Sequence, residues 1–240
     1  LIACTFPSLA KEKAIPAKSE PTSIDSAASI SPRFSQKLFG YFYLSSCMKE
    51  AKRQKLTLDK EAIKKEYKTI LLRAGDIGRS RLMSSYCMGA YFIALNRKTS
   101  LSPEECFELY KNGLSNNALF HKVMGNADSY LDPKKMPGRK KWSEESHLKK
   151  YKNDWVVDII EGGENDNFVL GYDYHNCGIC DLCRDESCFE LAKYLCRMDY
   201  VLADMMGLEL TRTKTLAENG DCCDFRYGRK SSVLNPKKKM

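Results

Sequence analysis

An α+β fold is predicted for this chain, with N-terminal helices packed on a C-terminal antiparallel sheet of about four strands and one long inserted helix. Three observations predict it. From Phe34 to Gly113 the apolar residues recur every three or four positions, the helical period. Between Trp155 and Tyr227 the pattern turns to short runs rich in Val, Ile, Tyr, Phe and Thr, residues that suit strands. Between two pairs of such runs lies one further segment with helical spacing, Cys188–Met206.

Each element follows in order. Residues 1–33 show no hydrophobic period and are broken by Pro7, Pro16, Pro21 and Pro32, so they read as a disordered lead-in or tether. A first helix runs from Phe34 to about Gln54, with Leu38, Phe42, Leu44, Cys47 and Met48 at helical spacing. A second starts at Thr57 or Asp59, carries Ile63, Tyr67, Ile70 and Leu71, and stops at Gly75. The third, about Ile77–Arg97, is the most apolar and reads as the central helix. Ser102-Pro103-Glu104-Glu105 starts the fourth, a Ser cap followed by Pro and two acids in the first turn. Residues 114–131 add another turn or two, and the basic, Pro- and Gly-containing segment 132–152 reads as a connector.

Trp155–Ile160 and Phe168–Tyr174 then form a hairpin over Glu161–Asn167, where Gly162, Gly163 and Asn165 suit the loop. The helix over Cys188–Met206 closes at Gly207. Leu208–Ala217 and Cys222–Tyr227 make the last two strands, turning at Glu218-Asn219-Gly220-Asp221. The whole of 34–230 is one α+β domain on this reading, followed by a basic tail over 231–240.

The chain has 240 residues, 43% hydrophobic and 29% charged, a balance that excludes disorder throughout. No stretch approaches the ~18 apolar residues of a transmembrane helix. The net charge of +8 is concentrated in Lys134–Lys141, Lys149–Lys152 and Lys237–Lys239, without aromatic interleaving. Solvated charge explains it better than nucleic acid does, and the expected partner is a small-molecule substrate.

Seven of the eleven cysteines fall between Cys177 and Cys223. An odd total and the adjacent pair Cys222-Cys223 do not suit a secreted disulfide scaffold. A reducing, cytoplasmic setting fits better. The alternative is a lipid anchor through Cys4, because Leu1-Ile2-Ala3-Cys4 has the form of a lipoprotein processing site.

The densest chemistry is His175-Asn176-Cys177-Gly178-Ile179-Cys180-Asp181-Leu182-Cys183 with Cys188 beyond it. Read as a loop after a strand end, Cys177, Cys180, Cys183 and Cys188 form a candidate site for Zn²⁺ or an iron–sulfur cluster. Cys196 and Asp199 share one face of the following helix, and the carboxylate raises the thiol pKa. In the last strand Cys223 and Phe225 face one side while Cys222 and Asp224 face the other. Arg212 and Lys214 either turn inward to hold a carboxylate or face solvent with the Thr side in the core; the outward placement is favoured. His175 is the candidate general base or thiol activator, whereas His121 and His147 lie in polar surroundings.

Residues 168–228 resemble the L-2-amino-thiazoline-4-carboxylic acid hydrolase family. The carrying motifs are the strand running into Cys177, then Glu190 and Leu195-Cys196-Arg197-Met198-Asp199 on a helix. Arg212-Thr213-Lys214-Thr215-Leu216-Ala217 leading to Gly220 and Cys223-Asp224-Phe225 completes them. The resemblance implies hydrolytic opening of a cyclic amidine, classed as C–N bond hydrolysis, to give an N-carbamoyl-cysteine. It implies Cys177, Cys196, Cys223 and Asp199 as the reacting groups and Arg212 as the holder of the substrate carboxylate. Thr213 and Asp224 complete the expected substrate-binding set. Cys180, Cys183 and Cys188 are not carried by the resemblance. The runner-up functions are a non-catalytic metal- or thiol-sensing module on the Cys177–Cys188 segment, and a binding domain without turnover.

Overall fold

The computed structural model describes residues 34–75, 77 and 80–230. The expected lead-in, the Leu1–Cys4 processing site and the basic tail fall outside the described residues. Helices α1 (Phe34–Arg53), α2 (Lys60–Ala74), α3 (Met83–Arg97) and α4 (Pro103–Ser115) form the N-terminal part. Their ends follow local chemistry. Ala62 N–H donates to the Asp59 carboxylate at 2.9 Å to open α2, and Gly75 closes it at φ +74°. At α4, Glu105 N–H donates to Ser102 Oγ while Ser102 N–H donates to the Glu105 carboxylate. The central α3 is buried at every position from Met83 to Leu95.

Short helices α5 (Ala118–Met124) and α6 (Ala127–Tyr130) follow, each capped by an Asn side chain, Asn117 and Asn126. The segment read as a connector instead contains α7 (Met136–Ser146). Long-range contacts explain it: α7 lies against the sheet, where Ser143 Oγ donates to Val157 O at 2.7 Å. Pro137 stands in the first turn of α7, where its missing N–H is harmless.

Strands β1 (Val156–Glu161), β2 (Leu170–Asn176), β3 (Leu208–Thr211) and β4 (Cys223–Arg229) make one antiparallel sheet in the order β1-β2-β4-β3. Helix α8 (Gly178–Asp185) follows β2, and α9 (Ala192–Met205) precedes β3. The fold is α+β. On the inner face of the sheet, Tyr172 lies opposite Phe225 and Tyr174 opposite Cys223. Tyr174 meets Phe225 edge-on at 5.3 Å, an arrangement worth about 0.5–1.5 kcal/mol beyond its burial.

Two strand-side expectations are corrected. The third strand ends at Thr211, because the N–H groups of Thr213 and Lys214 donate to the Asp224 side chain at 2.9 and 2.8 Å. The segment read as a cysteine loop is helix α8, packed on α3, with Ile179 and Leu182 buried. Its end is tied back by Glu186, whose carboxylate takes Arg73 at 2.5 Å and Arg97 at 2.6 Å. Among the described residues no helix is long and apolar enough to cross a membrane.

Candidate active site

Cys177 sits where β2 gives way to α8. Its backbone is extended, φ −128° and ψ 112°, the usual geometry of the residue before a helix. The next residue must be small: a Cβ on Gly178 would lie 2.5 Å from the Asn153 carbonyl oxygen and 3.0 Å from the Trp155 ring. The start of α8 is therefore pressed against the chain that enters β1. At this helix start the backbone N–H groups have no carbonyl partner within the helix. The Cys180 thiol donates to the Cys177 sulfur, with further bonds from the N–H groups of Cys180 and Ile179. Against the opposing effect of burial, these donors hold the Cys177 pKa below its ordinary 9.0.

Two other thiols of the site move the opposite way. Burial, then the neighbouring Asp199, pushes Cys196 well above 9.0. Burial also pushes Cys223 up to about 12, although the Leu216 N–H donates to its sulfur at 3.2 Å. Cys177, Cys196, Asp199 and Cys223 converge from the end of β2, from α9 and from β4 on one cavity of about 10 Å³, walled also by Tyr174 and Phe225. That volume admits a single water-sized molecule.

Beyond Cys196 the surface opens into a groove of about 400 Å³. Lys193, Arg197, Arg212 and Lys214 line it with the two acids Glu104 and Glu218, and Glu104 holds Arg197 at 2.6 Å, so the groove is polar and close to charge balance. Cys196 lines both spaces and forms the boundary between them. Arg212 turns inward, contrary to the favoured expectation, while Lys214 points out and pairs with Asp221 at 2.6 Å. Its guanidinium donates to Asp199 Oδ2 at 3.0 Å and to the Cys196 carbonyl at 3.2 Å. It is also packed over the Tyr200 and Phe225 rings at 5.1 and 4.8 Å. With side chains only 5% and 1% exposed, Arg212 and Asp199 neutralise each other inside the wall of the site.

Other expected residues lie apart. His175 points from the opposite face of β2, exposed, where its Nε2 meets Asp158 at 2.9 Å. Alternation along the strand separates it from Tyr174 and from the cavity. Thr213 and Asp224 bond each other at 2.5 Å and shape the turn after β3. The four cysteines expected to share one metal divide into two hydrogen-bonded pairs, Cys177 with Cys180 and Cys183 with Cys188. Because 178–185 is helical, the sulfurs are spread along a turning backbone instead of gathered by a loop. Among the described residues no three His, Cys, Asp or Glu side chains are grouped to hold a metal ion.

The model of the L-2-amino-thiazoline-4-carboxylic acid hydrolase family matches residues 80–227. The chain belongs to this family. The match takes in α3 through most of β4, and with them every residue around the cavity. No curated protein and no solved structure matches the chain. Helices α1 and α2 precede the part shared with the hydrolase family. Groove residues missed from the sequence are Lys193 and Tyr200, which lie on α9 three residues before and four after Cys196. That helical spacing was the signal for them.

Proposed function

We propose that the chain hydrolyses a small cyclic amidine bearing a carboxylate, of the 2-amino-thiazoline-4-carboxylate type. One observation carries this reading: Cys196 is the shared wall between a polar, open groove and a water-sized cavity holding Cys177, whose pKa is lowered from 9.0. Family membership supports the substrate class. In this reading the groove seats the substrate, with its carboxylate toward Lys193 and the edge of Arg212. The amidine carbon C2 then lies at the Cys196 boundary, facing the cavity.

The Cys177 thiolate takes a proton from a water in the cavity, and the water oxygen bonds to C2. The resulting tetrahedral adduct collapses to the urea carbonyl as the remaining proton of that water passes to the ring nitrogen. An N-carbamoyl-cysteine product keeps both nitrogens on C2, so the bond that breaks is C2–S, not the C–N bond expected from the sequence. The ring sulfur leaves as a thiolate and receives the proton held by Cys177, which restores the starting state. Cys196 and Cys223 stay neutral through the cycle, and the Arg212 charge balances Asp199. The test is incubation of the purified chain with 2-amino-thiazoline-4-carboxylate and detection of product by mass. A product heavier than substrate by one water, carrying a free thiol, is expected; no product at saturating substrate overturns the reading.

A further inference from the structure

Cys180 has no part in the hydrolysis outlined above except to donate its proton toward Cys177. The pair has a second capacity. Cys177 and Cys180 are separated by Gly178 and Ile179, at the first turn of an eight-residue helix, with their thiols in hydrogen-bond contact. Two sulfurs already in contact across one helical turn are placed to be joined. The sulfur of Cys177 also faces the cavity of about 10 Å³, so an oxidant must be little larger than water to reach it. A bulky disulfide is excluded by size, and hydrogen peroxide, one oxygen atom larger than water, comes nearest to that limit.

We propose that Cys177 and Cys180 are a peroxide-oxidised dithiol, closing to a disulfide that withdraws Cys177 from hydrolysis. In the first step the Cys177 thiolate attacks one peroxide oxygen; the S–O bond forms, the O–O bond breaks and hydroxide leaves. Sulfur gives up two electrons and the peroxide is reduced. In the second step the Cys180 sulfur attacks the Cys177 sulfenic acid, the S–S bond forms and the S–O bond breaks. The Cys180 proton leaves with that oxygen as water. The hydroxide from the first step takes a proton from solvent, so one peroxide yields one disulfide and two waters. Once the chain is unfolded, a dithiol reductant reverses the change.

Two features set this pair apart from Cys183 and Cys188. Cys183 and Cys188 do not line the cavity, and Cys188 follows the helix instead of opening it. Cys188 is 7% exposed and is also held below 9.0 by the Cys183 thiol, so the second pair is an internal control that has the hydrogen bond and not the cavity. The oxidation itself stands independently of the hydrolase reading; only the loss of turnover rests on it.

The experiment uses the full chain, reduced and then exposed to stoichiometric hydrogen peroxide. Free thiols are alkylated in urea and the protein is digested with trypsin. Cleavage after Lys152 and Arg184 places Cys177, Cys180 and Cys183 in one peptide and Cys188 in the next. The expected result is a peptide lighter by two hydrogens, with fragmentation that assigns the link to Cys177 and Cys180, and reversal by dithiothreitol. In the Cys180→Ser variant the link is absent and Cys177 is trapped as a sulfenic acid by dimedone added as the chain is unfolded in urea. No link, a link between Cys183 and Cys188 alone, or Cys177 carried directly to sulfinic acid in the wild type overturns the proposal. Where the wild type turns over substrate, oxidation lowers the rate at least tenfold in parallel with the linked fraction. Formation of the link without any turnover in the reduced protein counts against the hydrolase reading and leaves the dithiol standing.

Discussion

Cysteines occur in both halves of the molecule at nearly the same burial, yet they are different chemical objects. Cys47 and Cys87, in the helical half, are fully buried, and Cys177 at the sheet end is 5% exposed. Burial pushes Cys87 up to about 12, with the Tyr67 hydroxyl bond opposing, whereas Cys177 lies below 9.0. The difference is backbone context. Cys87 is inside α3, where helix N–H groups are spent on carbonyls one turn back. Cys177 precedes α8, where the first N–H groups are free for its sulfur, and a second thiol adds a further donor. Burial alone thus raises a thiol's pKa, and donors that reach the sulfur, as at this strand-to-helix junction, lower it.

The sharpest way to break this comparison is to substitute both. Cys177→Ser removes the base and should lower turnover by about a hundredfold or more, in the range of lost general-base catalysis. Cys87→Ala should leave turnover within about twofold and cost about 1 kcal/mol in urea unfolding, from a small cavity. Equal losses of turnover in the two variants would erase the distinction. Next in size is Asp199→Ala, which leaves Arg212 buried without its carboxylate. A loss of about 3–5 kcal/mol in unfolding free energy is expected, as for a broken buried pair. Asp199→Leu combined with Arg212→Met should recover most of it, because no unpaired charge then remains.

A smaller effect tests where the Cys177 anion comes from. The Cys180 thiol is its leading donor, so Cys180→Ala should raise the Cys177 pKa toward or above 9.0, burial being unchanged. A base with a higher pKa is protonated over more of the neutral range. The acidic limb of the pH–rate profile should therefore move to higher pH, with the rate at pH 7 reduced about tenfold and largely regained on the alkaline side. A uniform loss at every pH would mean that Cys180 acts only through packing.

What was legible in the sequence was local. The α4 start, the β1–β2 hairpin and α9 follow from caps, turn residues and apolar spacing within a few positions. The features that escaped depend on distant partners. Helix α7 exists because Ser143 and Trp142 find the sheet, and β3 stops early because Asp224, eleven residues beyond Thr213, takes its backbone donors. Arg212 faces inward because Asp199 on a different element draws it there. Helix α8 had a local signal in Ile179, Leu182 and Cys183, but the cysteine spacing, read as a ligand loop, outweighed it. Only the family resemblance grouped Cys177, Cys196 and Cys223. The cavity brings them together through the Tyr174–Cys223 register and through the packing of α9 beside β3.

The smallest expected effect concerns the two faces of β2, and it checks the whole placement of the site. Tyr174 is 2% exposed and borders the cavity, while His175 has a side chain 45% exposed and bonded to Asp158 on the other side. A strand projects successive side chains to opposite faces, so one position decides whether this histidine serves the thiols. His175→Gln keeps a hydrogen-bonding group toward Asp158 and removes the titratable ring. Turnover should change by less than about twofold, and stability by under about 1 kcal/mol, as for an exposed pair. The pH–rate profile should keep its shape, since no group near the cavity is altered. A loss comparable to that of Cys177→Ser would place the attacking water on the Asp158 face, and the cavity between α8, α9 and β4 would then be packing alone.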